Sequence, residues 1–224
     1  MRRTLTLFAM LFSLAALDAR ADLITNGSFE NTNNTFVGDA NKTDSLASGS
    51  TAIPGWTTIN GTFTAWIENG NPWNISASNG SFFLDLTGYA DSGTYGGVSQ
   101  SFATTPGTSY VVTFDLGYGG NSGLFGGPVR LTASAAGTTA TFTSGSGTPN
   151  PAVWDTETFS FVANSTTTTL NLVGLSTAGG DYIGLDNVDV EVGTVAPVPE
   201  PGTYGLFLTG MGFLGCAVRR RARN

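Results

Sequence analysis

Apolar side chains along this chain recur at every second position over short runs, and no long stretch between residues 22 and 195 keeps helical spacing. Tyr110, Val112, Phe114 and Leu116 make one inward row. Leu170 and Leu172 share a face, and from Val188 to Val192 the valines point in while Asp189 and Glu191 point out. The pattern predicts strands at Leu23–Thr25, Trp56–Ile59, Phe63–Ile67, Phe82–Leu86, Gly97–Ala103 and Tyr110–Leu116. It continues with Val129–Ala133, Thr139–Thr143, Thr156–Val162, Thr168–Val173 and Leu185–Val192. Gly, Asn, Ser and Pro separate these runs. Thr104–Thr108 is a turn, with Pro106 presetting one dihedral and Gly107 supplying a positive φ. Short strands with turn signals between them indicate an all-β domain of two stacked antiparallel sheets, a jelly roll. Asn31–Thr51 is polar and reads as a long loop, and Gly117–Pro128 as a glycine-rich, mobile one.

The two ends have another pattern. Arg2 and Arg3 precede an apolar stretch from Leu5 to Leu17, and Ala19-Arg20-Ala21 is a small-x-small cleavage site. Residues 1–21 therefore read as a signal peptide with a short helix, and residues 22–194 as the domain. Residues 195–202, with Pro197, Pro199 and Pro201, read as an extended linker. Residues 203–224 hold an uncharged apolar segment from Tyr204 to Val218, then Arg219, Arg220, Arg221 and Arg223. The apolar segment is shorter than the roughly 20 residues of an ordinary spanning helix. It reads as a short hydrophobic helix that enters the membrane transiently, with the arginines left in the cytoplasm.

Without these ends the charge balance changes. Between Asp22 and Gly202 only Lys42 and Arg130 oppose fifteen acidic residues, a formal charge of −13. Such a surface repels nucleic acid and attracts cations. The single cysteine, Cys216, lies in the apolar tail, so the domain has no disulfide framework. The absence of histidine excludes His-based triads and His-ligated zinc.

Two resemblances rest on particular residues. Val198-Pro199-Glu200-Pro201, the apolar segment and the arginines resemble, in that order, the PEP-CTERM sorting signal. In that family an exosortase, an integral membrane enzyme of bacteria that make exopolysaccharide, recognises the tail. The alternative is an ordinary C-terminal anchor on a proline stalk. The domain opens with Leu23–Glu30 (LITNGSFE), continues through Ile53–Trp56 (IPGW), Ser81–Leu86 (SFFLDL) and Gly97–Gly107, and closes with Leu185–Val190 (LDNVDV). This set resembles the choice-of-anchor C family, related to plant cell-wall proteins with galactose-binding-like domains. The resemblance implies a galactose-binding-like jelly-roll β-sandwich and association with wall or matrix polysaccharide, without an established enzymatic activity.

It also implies a place for a metal. In such sandwiches the first and last strands lie close together and can hold a structural Ca²⁺. Glu30 and Asp186 would supply carboxylates to it, with backbone carbonyls near Asn26. The alternative is that both carboxylates cap turns and accept backbone N–H groups. For sugar rings, which stack on exposed aromatic faces, the candidates are Trp73, Tyr89 and Tyr95, all in or beside loops. Each could instead be a packing residue, as is expected of Trp56 and Trp66 on strands. Trp154 is open to either role. Asp85, Asp115, Asp155, Glu157, Asp181 and Asp189 could serve a glycosidase, but no pair stands out. The expected function is thus non-catalytic association with extracellular polysaccharide. A polysaccharide hydrolase and a structural or adhesive surface protein are the alternatives.

Overall fold

A computed structural model describes residues 22–88, 94–120, 125–176 and 182–193. Its strands form two sheets, antiparallel throughout. In the six-stranded sheet the order is β1 (Thr43–Ala47), β3 (Phe63–Glu68), β4 (Phe82–Asp85), β11 (Gly184–Val192), β6 (Ser109–Tyr118) and β9 (Val153–Val162). In the five-stranded sheet it is β2 (Thr57–Asn60), β5 (Gly96–Ala103), β10 (Thr167–Ser176), β7 (Arg130–Ala135) and β8 (Thr138–Thr143). First and last strands thus lie within one sheet with other strands between them, the long-range pairing of a jelly roll.

Alternation decides what the sheets bury. Tyr110, Val112, Phe114 and Leu116 face Val98, Leu131, Leu170 and Leu172 in the main core. Burying each such side chain fully contributes about 1.5–3 kcal/mol. Trp56 and Trp66 lie in this core, and the Trp56 indole N–H donates to the carbonyl of Asn26 at 2.9 Å. Val188 and Val190 are buried as the pattern requires, but Val192, at the end of β11 and still paired with Tyr110, is exposed. Between Asp186 and Asp189 the register of β11 against β6 shifts, and Asn187 takes a φ of 52° there. This bulge lets the strand change its twist while keeping Val188 and Val190 inward.

Three expectations need correction. Leu23–Thr25 is not a strand. Leu23 donates to the carbonyl of Val190 at 3.0 Å, after which the chain turns, with positive φ at Asn26 and Phe29. The segment still ties the start of the domain to β11, because Val188 donates to the carbonyl of Gly27 at 2.9 Å. Conversely, the supposed loop Asn31–Thr51 contains β1, which pairs with β3 from Thr43↔Ile67 to Ala47↔Phe63. The glycine-rich region likewise starts within β6, which runs to Tyr118.

Among the described residues, no helix is long and apolar enough to cross a membrane. The signal peptide, the proline linker and the hydrophobic tail lie outside the described residues, as do Tyr89, Pro199, Glu200, Pro201, Arg219, Arg220 and Arg221.

Candidate functional site

The outer face of the six-stranded sheet carries a second apolar cluster, separate from the core. Its floor is Ala65, Ile67, Ile75, Phe83 and Tyr182, and Trp73, Ala77, Phe125, Ala152 and Trp154 pack on it while partly exposed. Strand pairing builds this floor. Ala65, Asp85, Gly184, Gly117 and Trp154 stand in register across β3, β4, β11, β6 and β9. One step along, Asp186 faces Asp115, which faces Thr156, while Ile67 faces Phe83. Aromatic, glycine and carboxylate positions therefore share one face.

The paired glycines leave the space that Tyr182 fills. A Cβ at Gly117 would stand 2.6 Å from the Trp154 ring and 2.7 Å from the Tyr182 hydroxyl, and one at Gly184 would collide with that hydroxyl. Tyr182 is buried, edge-on to Phe83 at 6.2 Å and to Trp154 at 6.4 Å. Its hydroxyl has no hydrogen-bond partner among the described residues. Burial, reinforced by the charges of Asp85 and Asp186, raises its pKa well above the ordinary phenol value.

A segment of loop, residues 69–81, contributes Ile75 to this cluster and packs Trp73 and Ala77 against it. Asn69 and Asn71 shape it from within: Asn69 accepts from the Ala77 N–H at 2.7 Å, and Asn71 donates to the Ile75 carbonyl at 2.7 Å. Carboxylates and Trp154 hold it to the sheet. Asp186 accepts from the Asn79 N–H at 2.9 Å and from its neighbour Asn187 N–H at 2.7 Å. The Ser78 hydroxyl lies 2.7 Å from Asp115 and 3.1 Å from Asp186. The Trp154 indole N–H donates to the Ser76 carbonyl at 2.9 Å. Burial pushes the Asp186 carboxyl up to about 7, against the lowering effect of these hydrogen bonds.

Glu30 grips the end of the same segment. One of its oxygens accepts from the N–H groups of both Ser81 and Phe82, each at 2.7 Å. Gly80, with a φ of +76°, lies against this carboxylate where any Cβ would collide with it. The structure thus brings Glu30 and Asp186 to one stretch of chain, Ser78–Phe82, as partners of N–H and hydroxyl donors. In this arrangement both carboxylates act as caps for N–H and hydroxyl donors, the alternative to a calcium ligand set. Calcium takes six to eight oxygen ligands, whereas the groups around these carboxylates are proton donors. Among the described residues no three acidic side chains converge on a common point.

Of the proposed sugar contacts, Trp73 is half-buried on the outer cluster, with part of its ring reaching solvent. Next to it in sequence, Asn74 donates to the side-chain carbonyl of Asn150 at 2.7 Å. Tyr95 does not belong to this surface. It is buried in the main core, where its ring cannot offer a face to a sugar. Phe125 and Trp154 occupy the partly exposed position expected of a contact residue. Sequence reasoning left Trp154 undecided and missed Ser78 and Tyr182. The available signal was the spacing of Trp154 and Thr156, which puts both on one face of β9.

A family model described as "Protein of unknown function (DUF642)" matches residues 22–181. The chain belongs to the DUF642 family. A second model, the PEP-CTERM protein-sorting motif, matches residues 197–222, the tail recognised from Pro199-Glu200-Pro201 and the arginines. This motif implies export and sorting to the cell surface. Halomucin of Haloquadratum walsbyi (strain DSM 16790 / HBSQ001) is 30% identical over 173 residues, which are 75% of this chain and 2% of halomucin. The chain thus spans only a small fraction of that relative. Among solved structures, TmCBM61 in complex with β-1,4-galactotriose is similar with a TM-score of 0.42 and 13% identity, covering 77% of this chain and 99% of that one. The arabinose-bound α-L-arabinofuranosidase MgGH51 is similar with a TM-score of 0.46 and 14% identity, covering 76% of this chain and 26% of that one.

Proposed function

We propose that this DUF642 protein is exported, processed by an exosortase at its C-terminal tail, and associates non-catalytically with polysaccharide outside the cell. The observation that carries the sugar reading is the outer face of the six-stranded sheet. There Trp73, Phe125 and Trp154 are all partly exposed on one apolar floor, and Asn74, next to Trp73 in sequence, pairs its amide with that of Asn150. Rings of this kind accept the C–H faces of a sugar, and amides bond its hydroxyls. The arrangement is a small version of the usual ligand site, apolar with a few placed polar groups. Asp115 and Asp186 lie beneath it, but both are buried and engaged with Ser78, which supports binding over hydrolysis.

Tryptophan fluorescence of the exported protein, titrated with polysaccharide from the producing cells, tests this reading. Saturable quenching that Trp73→Ala reduces at least tenfold in affinity is the expected result. Unchanged binding by that variant moves the site elsewhere, and release of reducing ends during the titration supports a hydrolase. The sorting part has its own measurement. Exosortase processing yields an intact mass lacking the apolar segment and Arg219–Asn224, whereas a mass that keeps them identifies a permanent anchor.

A further inference from the structure

The two sheets differ sharply in charge. Nine acidic residues lie on strands of the six-stranded sheet. The strands of the five-stranded sheet carry none, and Arg130 is their one charged residue. In a region of formal charge −13 between Asp22 and Gly202, the five-stranded sheet is therefore where another acidic body meets least repulsion.

The four sheet edges also differ. At β1, the Asp39 N–H donates to the Thr43 carbonyl at 2.9 Å and the Val37 N–H to Asp44 at 2.9 Å, so residues 37–39 lie along the strand. At β2, Thr58 donates to Ser50 at 2.9 Å and accepts from Gly49 at 2.7 Å, so residues 49 and 50 occupy that edge. β9 carries Asp155 and Glu157, the kind of charge that discourages edge pairing. Among the described residues β8 has none of these protections. Its sequence is Thr-Thr-Ala-Thr-Phe-Thr, without charge or proline. It pairs with β7 over all six residues without a bulge, and it ends the sheet among the described residues. Thr138, Thr139, Thr141 and Thr143 are exposed. An uncharged, regular, β-branched edge is a template for another strand.

We infer that β8 is the contact edge of a symmetric dimer, in which β8 of one copy pairs antiparallel with β8 of a second copy. A two-fold interface uses the same patch on both partners, and β8 is that patch here. The charge pattern favours a second copy as the occupant, because β8 and the strands behind it bring no acidic residue of their own to the pairing, and the neighbouring Asp155 is already taken up by the Gly145 N–H at 2.6 Å. The five-stranded sheets would join into one continuous ten-stranded sheet. The outer aromatic cluster of each six-stranded sheet would remain free, giving two such faces per dimer.

Sedimentation velocity of the full chain tests this, with Thr139→Asp/Thr141→Asp as the edge variant. Both threonines point outward, paired with Ser134 and Thr132 of β7. Across a two-fold antiparallel pairing they would set aspartate against aspartate, which is destabilising. Thr169→Asp is the control, adding charge to an exposed position of β10 in the same sheet, away from the edge. The expected result is a concentration-dependent dimer for the wild type and the control, and for the edge variant a folded monomer whose melting temperature matches that of the wild type at concentrations too low to dimerise. Hydrogen exchange of the wild type gives a second reading that needs no variant: the amides of residues 138–143 should slow as concentration rises. A wild type that stays monomeric, a dimer that survives the edge substitutions, or a control that also dissociates would overturn the inference.

Discussion

Asp115 on β6 and Asp186 on β11 stand directly opposite each other, and one hydroxyl, that of Ser78, touches both carboxylates. A hydroxyl has a single proton to donate. The shorter contact, 2.7 Å, gives that proton to Asp115. The 3.1 Å contact is the longer reach of the same donor toward Asp186, so the two carboxylates share one hydroxyl. Burial pushes the Asp186 carboxyl up to about 7, against the lowering effect of the hydrogen bonds it accepts. The segment above the sheet is thus fastened to a buried carboxyl that binds its proton more tightly when folded, and this has a thermodynamic consequence.

Stability should fall as pH rises from about 4 to about 7. Asp186 has a folded pKa of about 7 against an ordinary value of 3.8, so the folded state binds the proton more tightly than the unfolded one. Its contribution is fully present below the unfolded value and is lost as pH passes through the folded one. About three pKa units correspond to about 4 kcal/mol as an upper figure. Asp189, pushed up to about 6 by burial and by its neighbours Asp22 and Glu191, acts in the same direction. Urea unfolding at pH 5 and pH 8 measures the loss. Asp186→Asn, which cannot titrate, should remove most of the slope, and a slope that survives in this variant would assign it to other groups.

The grip of Glu30 on Ser81 and Phe82 gives the second prediction. Glu30→Ala leaves two N–H groups without their acceptor and should cost about 1–3 kcal/mol, less where water reaches them. Because the donors here are N–H groups, calcium added at constant ionic strength should leave the melting temperature unchanged, and so should a chelator. A calcium-specific rise of several degrees that Glu30→Ala or Asp186→Asn abolishes would restore these residues as metal ligands.

Tyr182 and the two glycines under it make a paired prediction. The Tyr182 hydroxyl is buried without a partner among the described residues, so Tyr182→Phe should be neutral or stabilising. Gly184→Ala drives a methyl group into the same hydroxyl and should destabilise by about 1–3 kcal/mol. Combining the two changes should recover only part of the loss, since Phe removes the clashing oxygen but keeps the ring carbon at 2.7 Å and leaves the Gly117 Cα at 2.9 Å. Thermal unfolding of the three variants is sufficient, and a strongly destabilised Tyr182→Phe would mean that the hydroxyl is bonded in solution.

Much of this architecture is legible in the sequence where alternation is strong. Tyr110–Leu116 and Thr168–Val173 announce both their strands and their buried faces, because each places large apolar groups at every second position. β1 escaped notice because Thr-Asp-Ser-Leu-Ala has one large apolar residue, and pairing with β3, not its own pattern, makes it a strand. Leu23–Thr25 has the composition of a strand, yet its neighbour Asn26 turns the chain away. Tyr95 illustrates a different limit. Turn glycines around it suggest a surface, but Gly174 packs against it from β10, and that contact is invisible along the chain. The link between Asp115 and Asp186 has the same origin. Each is an unremarkable acid on its own strand, and only the pairing of β6 with β11 sets them face to face.

Trp73 and Trp154 share a cluster but are held differently, and this separates binding from folding. Trp154 stacks edge-on against Phe83 at 5.8 Å and against Tyr182, and its indole N–H bonds the Ser76 carbonyl. Removing it strips the floor and frees residue 76, so Trp154→Ala should cost about 3–5 kcal/mol, toward the lower end because the ring is partly exposed. Trp73 lies above the floor with part of its ring in solvent, and Trp73→Ala should cost much less, about 1–2 kcal/mol. If the ring is a sugar contact, its loss should appear in affinity, as a tenfold or greater decrease toward the producer's polysaccharide. Trp154→Phe completes the set by keeping a ring on the floor while losing the bond to Ser76. It should lower stability by about 1 kcal/mol and change sugar affinity less than Trp73→Ala does. Denaturation and titration of the same three variants give both readings, and equal losses of affinity and stability throughout would reduce Trp73 to a packing residue.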